Sequence, residues 1–329
     1  MTETHRAAAV DIGSTSVHLL VADVSGTDLT PVLDVSELLG LGARIEAARL
    51  LGAEARAALA GTLAGYVADG RRLRAESIVV VATDPLRHAA DAARACREAE
   101  LACAVPVHVL DQAEEGALTL SGVTADRAHA DLAVIDIGGG STEIVLAGPD
   151  GIRSVVGIPL GASRLSAAVG ADDPPSAGQV AALRAEADRI LAQAPDLALG
   201  EVVAVGGTAF GVARVATGPG TGERLLDSDG IALAVTISGR ERSAHVAELF
   251  GLNPRRARIM PAGAAIVAAI AARYGIDRIR ASERGIREGL VRAIVRDGSA
   301  WRDRLTRLAP HADGRLRAGR SSDRAPAGR

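Results

Sequence analysis

Ile135-Asp136-Ile137-Gly138-Gly139-Gly140-Ser141-Thr142-Glu143-Ile144-Val145 restates, 125 residues downstream and without a gap, Val10-Asp11-Ile12-Gly13-Ser14-Thr15-Ser16-Val17-His18-Leu19-Leu20. Asp, Ile, Gly and Ser recur at matching positions inside two similar apolar frames. Each copy reads as a strand, a glycine turn and a second strand. A repeat at this distance implies two topologically related halves, each opening with the same hairpin.

Outward from the hairpins, strands alternate with helices. Ile78–Ala82, Val105–Leu110 and Val202–Val205 are short continuous apolar runs of the kind buried in parallel sheets. Helical spacing covers Glu54–Arg74, Leu86–Leu101, Gln112–Leu120, Gln179–Leu191 and Ala262–Tyr274. Asp111 is a good N-cap for the third of these. The alternation predicts an α/β fold with mixed sheets. The join falls in the polar stretch Val123–Asp131, giving a first domain of residues 1–124 and a second of 125–289. From 309 to 329 the chain is rich in Gly, Pro, Ser and Arg and reads as a disordered tail.

Composition narrows the function. At 329 residues there is chain for two domains, and 48% hydrophobic with 23% charged residues suits a folded, soluble protein. A net charge of −3 provides no field for nucleic acid or an anionic membrane, and 2% aromatics argues against base stacking. The nearly apolar run Pro261–Ala272 is too short to span a bilayer, and the N-terminus has no signal-peptide core. A cytoplasmic protein is expected. Cys96 and Cys103 provide neither a disulfide framework nor metal-site spacing. The sequence contains no lysine, all 37 basic residues being arginine, which excludes a lysine-dependent P-loop and Schiff-base chemistry.

Three glycine turns follow strands: Gly13-Ser14-Thr15-Ser16, Gly138-Gly139-Gly140-Ser141 and Gly206-Gly207-Thr208. Glycine lets successive backbone N–H groups close on phosphate oxygens, and hydroxyls add donors. Asp11 and Asp136 stand at equivalent strand ends. Carboxylates beside phosphate repel it, by about 4 kcal/mol at contact and an effective dielectric of 20, unless a cation intervenes. Mg²⁺, which takes one or two carboxylates plus phosphate oxygens, answers that need. Glu143 is a third candidate for metal or water. Arg87, near a strand C-terminus, has the planar fork that suits a phosphate. Glu114 and Glu115 open a helix, where a carboxylate is often only a partner of the helix dipole.

Together these segments resemble the exopolyphosphatase and guanosine pentaphosphate phosphohydrolase (Ppx/GppA) family, over roughly residues 7–297. Residues Ala9–Val21 and Ile135–Glu143 are similar to its two phosphate loops. Ala82-Thr83 with Leu86-Arg87, Glu114-Glu115-Gly116-Ala117-Leu118, Pro159–Leu165 and Ile286-Arg287-Glu288-Gly289-Leu290 are similar to further family elements. The resemblance implies two related actin-like (ribonuclease H-like) domains with mixed sheets facing a central cleft, and a C-terminal helix, about 290–308, returning to the first. It implies Glu115 as catalytic base, Glu143 positioning water or metal, and Mg²⁺ held by Asp11, Asp136 and Glu143. Gly13, Ser14, Thr15, Ser16, Arg87, Gly138, Gly139, Gly140, Ser141, Gly207 and Thr208 would hold phosphates. The implied substrate is inorganic polyphosphate, with guanosine pentaphosphate second. A non-catalytic sensor of these ligands and a small-molecule kinase of the same superfamily are the competing readings. A homodimer is the commonest assembly for such an enzyme. Five positions depart from the family pattern: Thr15 for Asn, Asp84-Pro85 for Ser-Ala, Ala117 for Arg, and Arg258 for an acidic residue.

Overall fold

A computed structural model describes residues 3–126, 131–220, 222 and 224–308. The expected tail, 309–329, lies outside the described residues. The first half runs β1 (His5–Ile12), β2 (Val17–Ser25), β3 (Asp28–Glu37), α1 (Leu41–Ala48), α2 (Gly52–Arg72), β4 (Ser77–Ala82), α3 (Asp84–His88), α4 (Ala92–Cys103), β5 (Val107–Val109) and α5 (Gln112–Thr124). The second runs β6 (Leu132–Ile137), β7 (Thr142–Gly148), β8 (Gly151–Ile158), α6 (Ala162–Val169), α7 (Ala177–Leu191), β9 (Glu201–Val205) and α8 (Gly206–Thr217). It continues through β10 (Arg224–Asp227), α9 (Ser228–Arg240), α10 (Ser243–Phe250), α11 (Pro254–Arg258), α12 (Met260–Tyr274) and β11 (Arg278–Ala281). Two helices close the described chain, α13 (Ile286–Asp297) and α14 (Trp301–Leu308).

The two sheets carry the same plan. The first has the order β3-β2-β1-β4-β5 and the second β8-β7-β6-β9-β11, with β10 added at its edge. In each, an antiparallel hairpin and a third antiparallel strand flank parallel strands. The repeat is expressed down to single bonds. Gly13 N donates to Ser16 O at 3.0 Å, and Gly138 N to Ser141 O at 2.9 Å. Asp11 pairs across its hairpin with His18, and Asp136 with Glu143.

Apolar strands explain where the cores lie. In β1, Ala8, Val10 and Ile12 face α2 and α4, while Ala7 and Ala9 face α13 and α14. Alternation thus buries both faces. α5 serves both halves: Leu118 joins the core of the first sheet with α13, and Leu120 and Val123 pack on β6, β7 and β9. No described helix is long and apolar enough to cross a membrane.

One local expectation changes. The predicted helix Leu86–Leu101 is two helices, α3 and α4. Ala89 is extended between them, and the Asp91 carboxylate receives Leu51 N, Gly52 N and Arg56 Nη1. A side chain tied to α2 breaks a run whose apolar spacing alone looks continuous. β3 contains Pro31, which speaks against a strand, yet it sits at the sheet edge, where the register shifts and a missing N–H is tolerated.

Candidate functional site

The carboxyl ends of the parallel strands of both sheets meet at one cleft of about 580 Å³. This is where open α/β sheets bind ligands. Its floor is the two repeated turns and the opening of α8. Gly206 has φ +86°, and a Cβ there would overlap Asp136 and the Ile137 carbonyl, so only glycine permits this entry into α8. The Gly206-Gly207-Thr208 amides then form the positive end of a 12-residue helix beside the second turn.

All the glycine-turn residues expected from the sequence line the cleft, from Gly13–Ser16 to Gly138–Ser141, Gly207 and Thr208. Several of their hydroxyls already have protein partners. Ser14 Oγ donates to Asp84 Oδ2 at 3.0 Å, Thr15 Oγ1 lies 3.1 Å from Ser163 Oγ, and Ser16 Oγ lies 2.6 Å from His18 Nε2. Thr208 Oγ1 donates to Gly138 O at 3.2 Å. These contacts shape the turns and leave the backbone amides as their principal anion donors.

Four carboxylates, Asp11, Glu115, Asp136 and Glu143, face the same cleft, Glu115 and Glu143 buried and Asp11 and Asp136 half-buried. Burial pushes Asp11 up to about 7, reinforced by Glu115 and opposed by Arg287. Burial and Glu115 push Asp136 up to about 7. Burial, then Glu115 and Asp136, hold Glu143 well above the usual carboxylate range. Glu115 is raised by burial and drawn back by Arg87. Asp11 Oδ1 and Glu143 Oε1 have no hydrogen-bond partner.

Glu115 is placed by the start of α5. Asp111 caps the helix by accepting from Glu114 N, and Glu114 returns a bond to Asp111 N. Arg302 of α14 grips Glu114 at 2.7 Å. Its neighbour Glu115, one residue further round the helix, is left to face the cleft. Arg87 stands behind it, with Nη1 2.6 Å from Glu115 Oε2 and 3.0 Å from Leu110 O, and Nη2 3.9 Å from Glu143 Oε1. Arg87 thus bridges two cleft carboxylates.

The residue set fits a divalent cation in one specific manner. Among the described residues no three His, Cys, Asp or Glu side chains stand close enough to cage a metal ion. Orphaned carboxylate oxygens opposite glycine amides suit an ion that takes few protein ligands and completes its shell with water and phosphate oxygens, the habit of Mg²⁺.

Sequence reasoning missed one wall. Arg256, Arg287, Arg214 and His18 also line the cleft. Arg256 is half-buried and held below the ordinary arginine range by desolvation and by Arg287 and Arg214. His18 is lowered to about 3 by burial and the same cations, Arg287 and Arg256. The repeat held the signal for His18, which occupies the position of Glu143 in the other copy. Arg256 carries no local pattern and is recruited by the fold of α11.

The chain matches the Ppx/GppA phosphatase family over residues 20–297. It is 29% identical to an uncharacterised protein of Streptomyces coelicolor, over 93% of this chain and 95% of that one. It is 27% identical to exopolyphosphatase 1 of Mycobacterium leprae, over 87% and 88% of the two chains. The crystal structure of the Aquifex aeolicus Ppx/GppA family member superimposes with a TM-score of 0.74 at 23% identity, covering 89% of this chain and 98% of that one.

Proposed function

Since the chain belongs to the Ppx/GppA phosphatase family, and is accordingly a phosphoanhydride hydrolase, we propose that it removes the terminal phosphate of inorganic polyphosphate with Glu115 as general base. The observation that carries this reading is a buried carboxylate, paired with one arginine, facing two glycine turns in one cleft. The backbone amides of Ser14–Ser16 and Gly139–Ser141, in turns closed by the Gly13 and Gly138 amides, hold the terminal phosphate. Gly207 and Thr208 add the positive end of α8. Glu115 takes a proton from the water that attacks phosphorus, the bridging P–O bond breaks, and the shortened chain leaves with the bond's electron pair. Arg87 orients Glu115 and opposes the upward push of burial on its carboxyl. Arg256 and Arg287, cations on the far wall, receive charge from phosphates further along the chain.

Asp11, Asp136 and Glu143 do not stand close enough to cage Mg²⁺ together as the resemblance implies; one or two of them would hold it, the orphaned oxygens of Asp11 and Glu143 being the available ligands. Bound there, the ion offsets negative charge on the phosphate oxygens. A second substrate, guanosine pentaphosphate, is favoured by Phe210 and Ile259, apolar side chains on the same cleft wall that suit a base.

The test is phosphate release from medium-chain polyphosphate and from guanosine pentaphosphate, with Mg²⁺ or EDTA. Glu115→Gln should lower kcat by about 10²–10⁴-fold without unfolding the protein. Release that persists in this variant removes Glu115 from the base role. Binding of either ligand by folded wild type without any release favours a sensor.

A further inference from the structure

Asp84 is a buried acid that the reaction above does not use. It opens α3 immediately after β4 and is 7% exposed. Its carboxylate lies between the two glycine turns. Oδ2 accepts from Ser14 Oγ in the first turn at 3.0 Å. Gly140 of the second turn packs so closely against it that a Cβ there would overlap Oδ2. The same oxygen is 3.5 Å from Arg164 Nη2 on α6, in the second half. Arg164 Nη2 in turn is 2.9 Å from Glu46 Oε1 on α1, back in the first half. Arg164 N and Ser163 N both donate to Gly139 O, at 3.0 and 2.9 Å, so α6 moves with the second turn. Gly42 N donates to Ser14 O at 2.8 Å, so α1 moves with the first. His88 Nε2, on the exposed side of α3, is 3.3 Å from Asp84 Oδ1, and the charge of Asp84 is also felt by Arg87 and Glu115.

We propose that Asp84 is a positioning residue which, through Arg164, clasps the two phosphate-binding turns at a fixed separation, an inference that rests on those turns holding one phosphate between them. A buried carboxylate is costly unless paired and hydrogen-bonded, and here each of its partners outside its own helix belongs to a turn or to a helix tied to a turn. An anion bridged by two turns is held only when both are in reach together. Small misplacement of such a frame costs large factors in rate or affinity. The clasp sets the frame before substrate arrives, so its loss falls mainly on KM.

The variants are Asp84→Asn, which keeps an acceptor for Ser14 and removes the charge, Arg164→Met, Arg164→Lys and the double Asp84→Asn/Arg164→Met. KM and kcat are measured on medium-chain polyphosphate. Hydrogen exchange is followed in α1 and α6 of the substrate-free protein. Each single charge-removing variant should raise KM about fivefold or more, with a smaller change in kcat. The double should be no worse than the worse single, as expected for one shared link. Arg164→Lys should return KM to within about twofold of wild type. Exchange in α1 and α6 should quicken together in Asp84→Asn and in Arg164→Met. A KM that falls in Asp84→Asn means that the carboxylate repels substrate and overturns the clasp, as do additive effects or unchanged exchange. If wild type releases no phosphate, the function proposed above fails. The exchange data still decide the clasp: joint quickening supports it, and its absence refutes it.

Discussion

Glu114 and Glu115 are adjacent, identical in type, and do unrelated things. About 100° of helical rotation separates them. Glu114 is consumed by the capping box and Arg302, while Glu115 meets Arg87 inside the cleft. Nothing local distinguishes them, and the resemblance alone singled out Glu115. Arg87 was expected as a phosphate ligand, but its guanidinium is directed at Glu115 and at the Leu110 carbonyl. That geometry makes a signed prediction. Burial raises Glu115, and Arg87 is the cation that lowers it. Arg87→Met should therefore move the acid limb of the kcat–pH profile to higher pH, by about one pH unit or more. A profile followed from pH 5.5 to 9 checks it, and an unmoved limb would detach Arg87 from the base.

At the scale of elements, the position of Glu115 depends on how closely α5 and α13 cross. Gly122 lies against the Gly285 carbonyl and Gly289 against the Leu118 carbonyl, with no room for a Cβ at either. Gly289→Ala should thus force the helices apart and cost about 1–3 kcal/mol. Gly61, exposed in α2 with nothing within 4 Å of a Cβ, is the contrasting site. Gly61→Ala should leave stability unchanged or raise it by up to about 1 kcal/mol, because alanine is the better helix former. Urea midpoints measure both, and equal effects at the two sites would refute the close-crossing argument. The Arg-Glu-Gly-Leu stretch was visible in the sequence, but the reason for its glycine is the carbonyl of another helix.

Across the whole molecule, stability and cation binding share one set of carboxylates. Asp11 and Asp136 titrate near 7 in the folded protein against about 3.9 in an unfolded chain. Between those values the folded state holds more protons, so stability falls as pH rises through the window. His18, lowered to about 3, works in the opposite sense, its contribution growing with pH only up to about 6.5. From pH 6.5 to 8 the carboxylates govern. Without divalent cations stability should drop over that range by on the order of 1 kcal/mol per carboxylate, and the melting temperature with it. Millimolar Mg²⁺ should restore it more at pH 8 than at pH 6.5, because protons no longer compete for the site. A melting temperature that climbs from pH 6.5 to 8, or that ignores Mg²⁺ at pH 8, would count against a cation among these groups.

Two glycine turns 125 residues apart, in like apolar frames, were enough to indicate duplicated α/β halves and the positions of Asp11, Asp136 and Glu143. Strand, turn and helix-cap signals are local, and a repeat compares local signals with each other. The pairing of Arg87 with Glu115, the arginine wall around Arg256 and the Asp84–Arg164 contact join residues from 28 to about 240 positions apart or from opposite halves. Such contacts leave no periodicity in either segment. They exist because α5, packed against a face of each sheet, brings the strand ends of both to one cleft, where exclusion of water makes each charge answer to its neighbours.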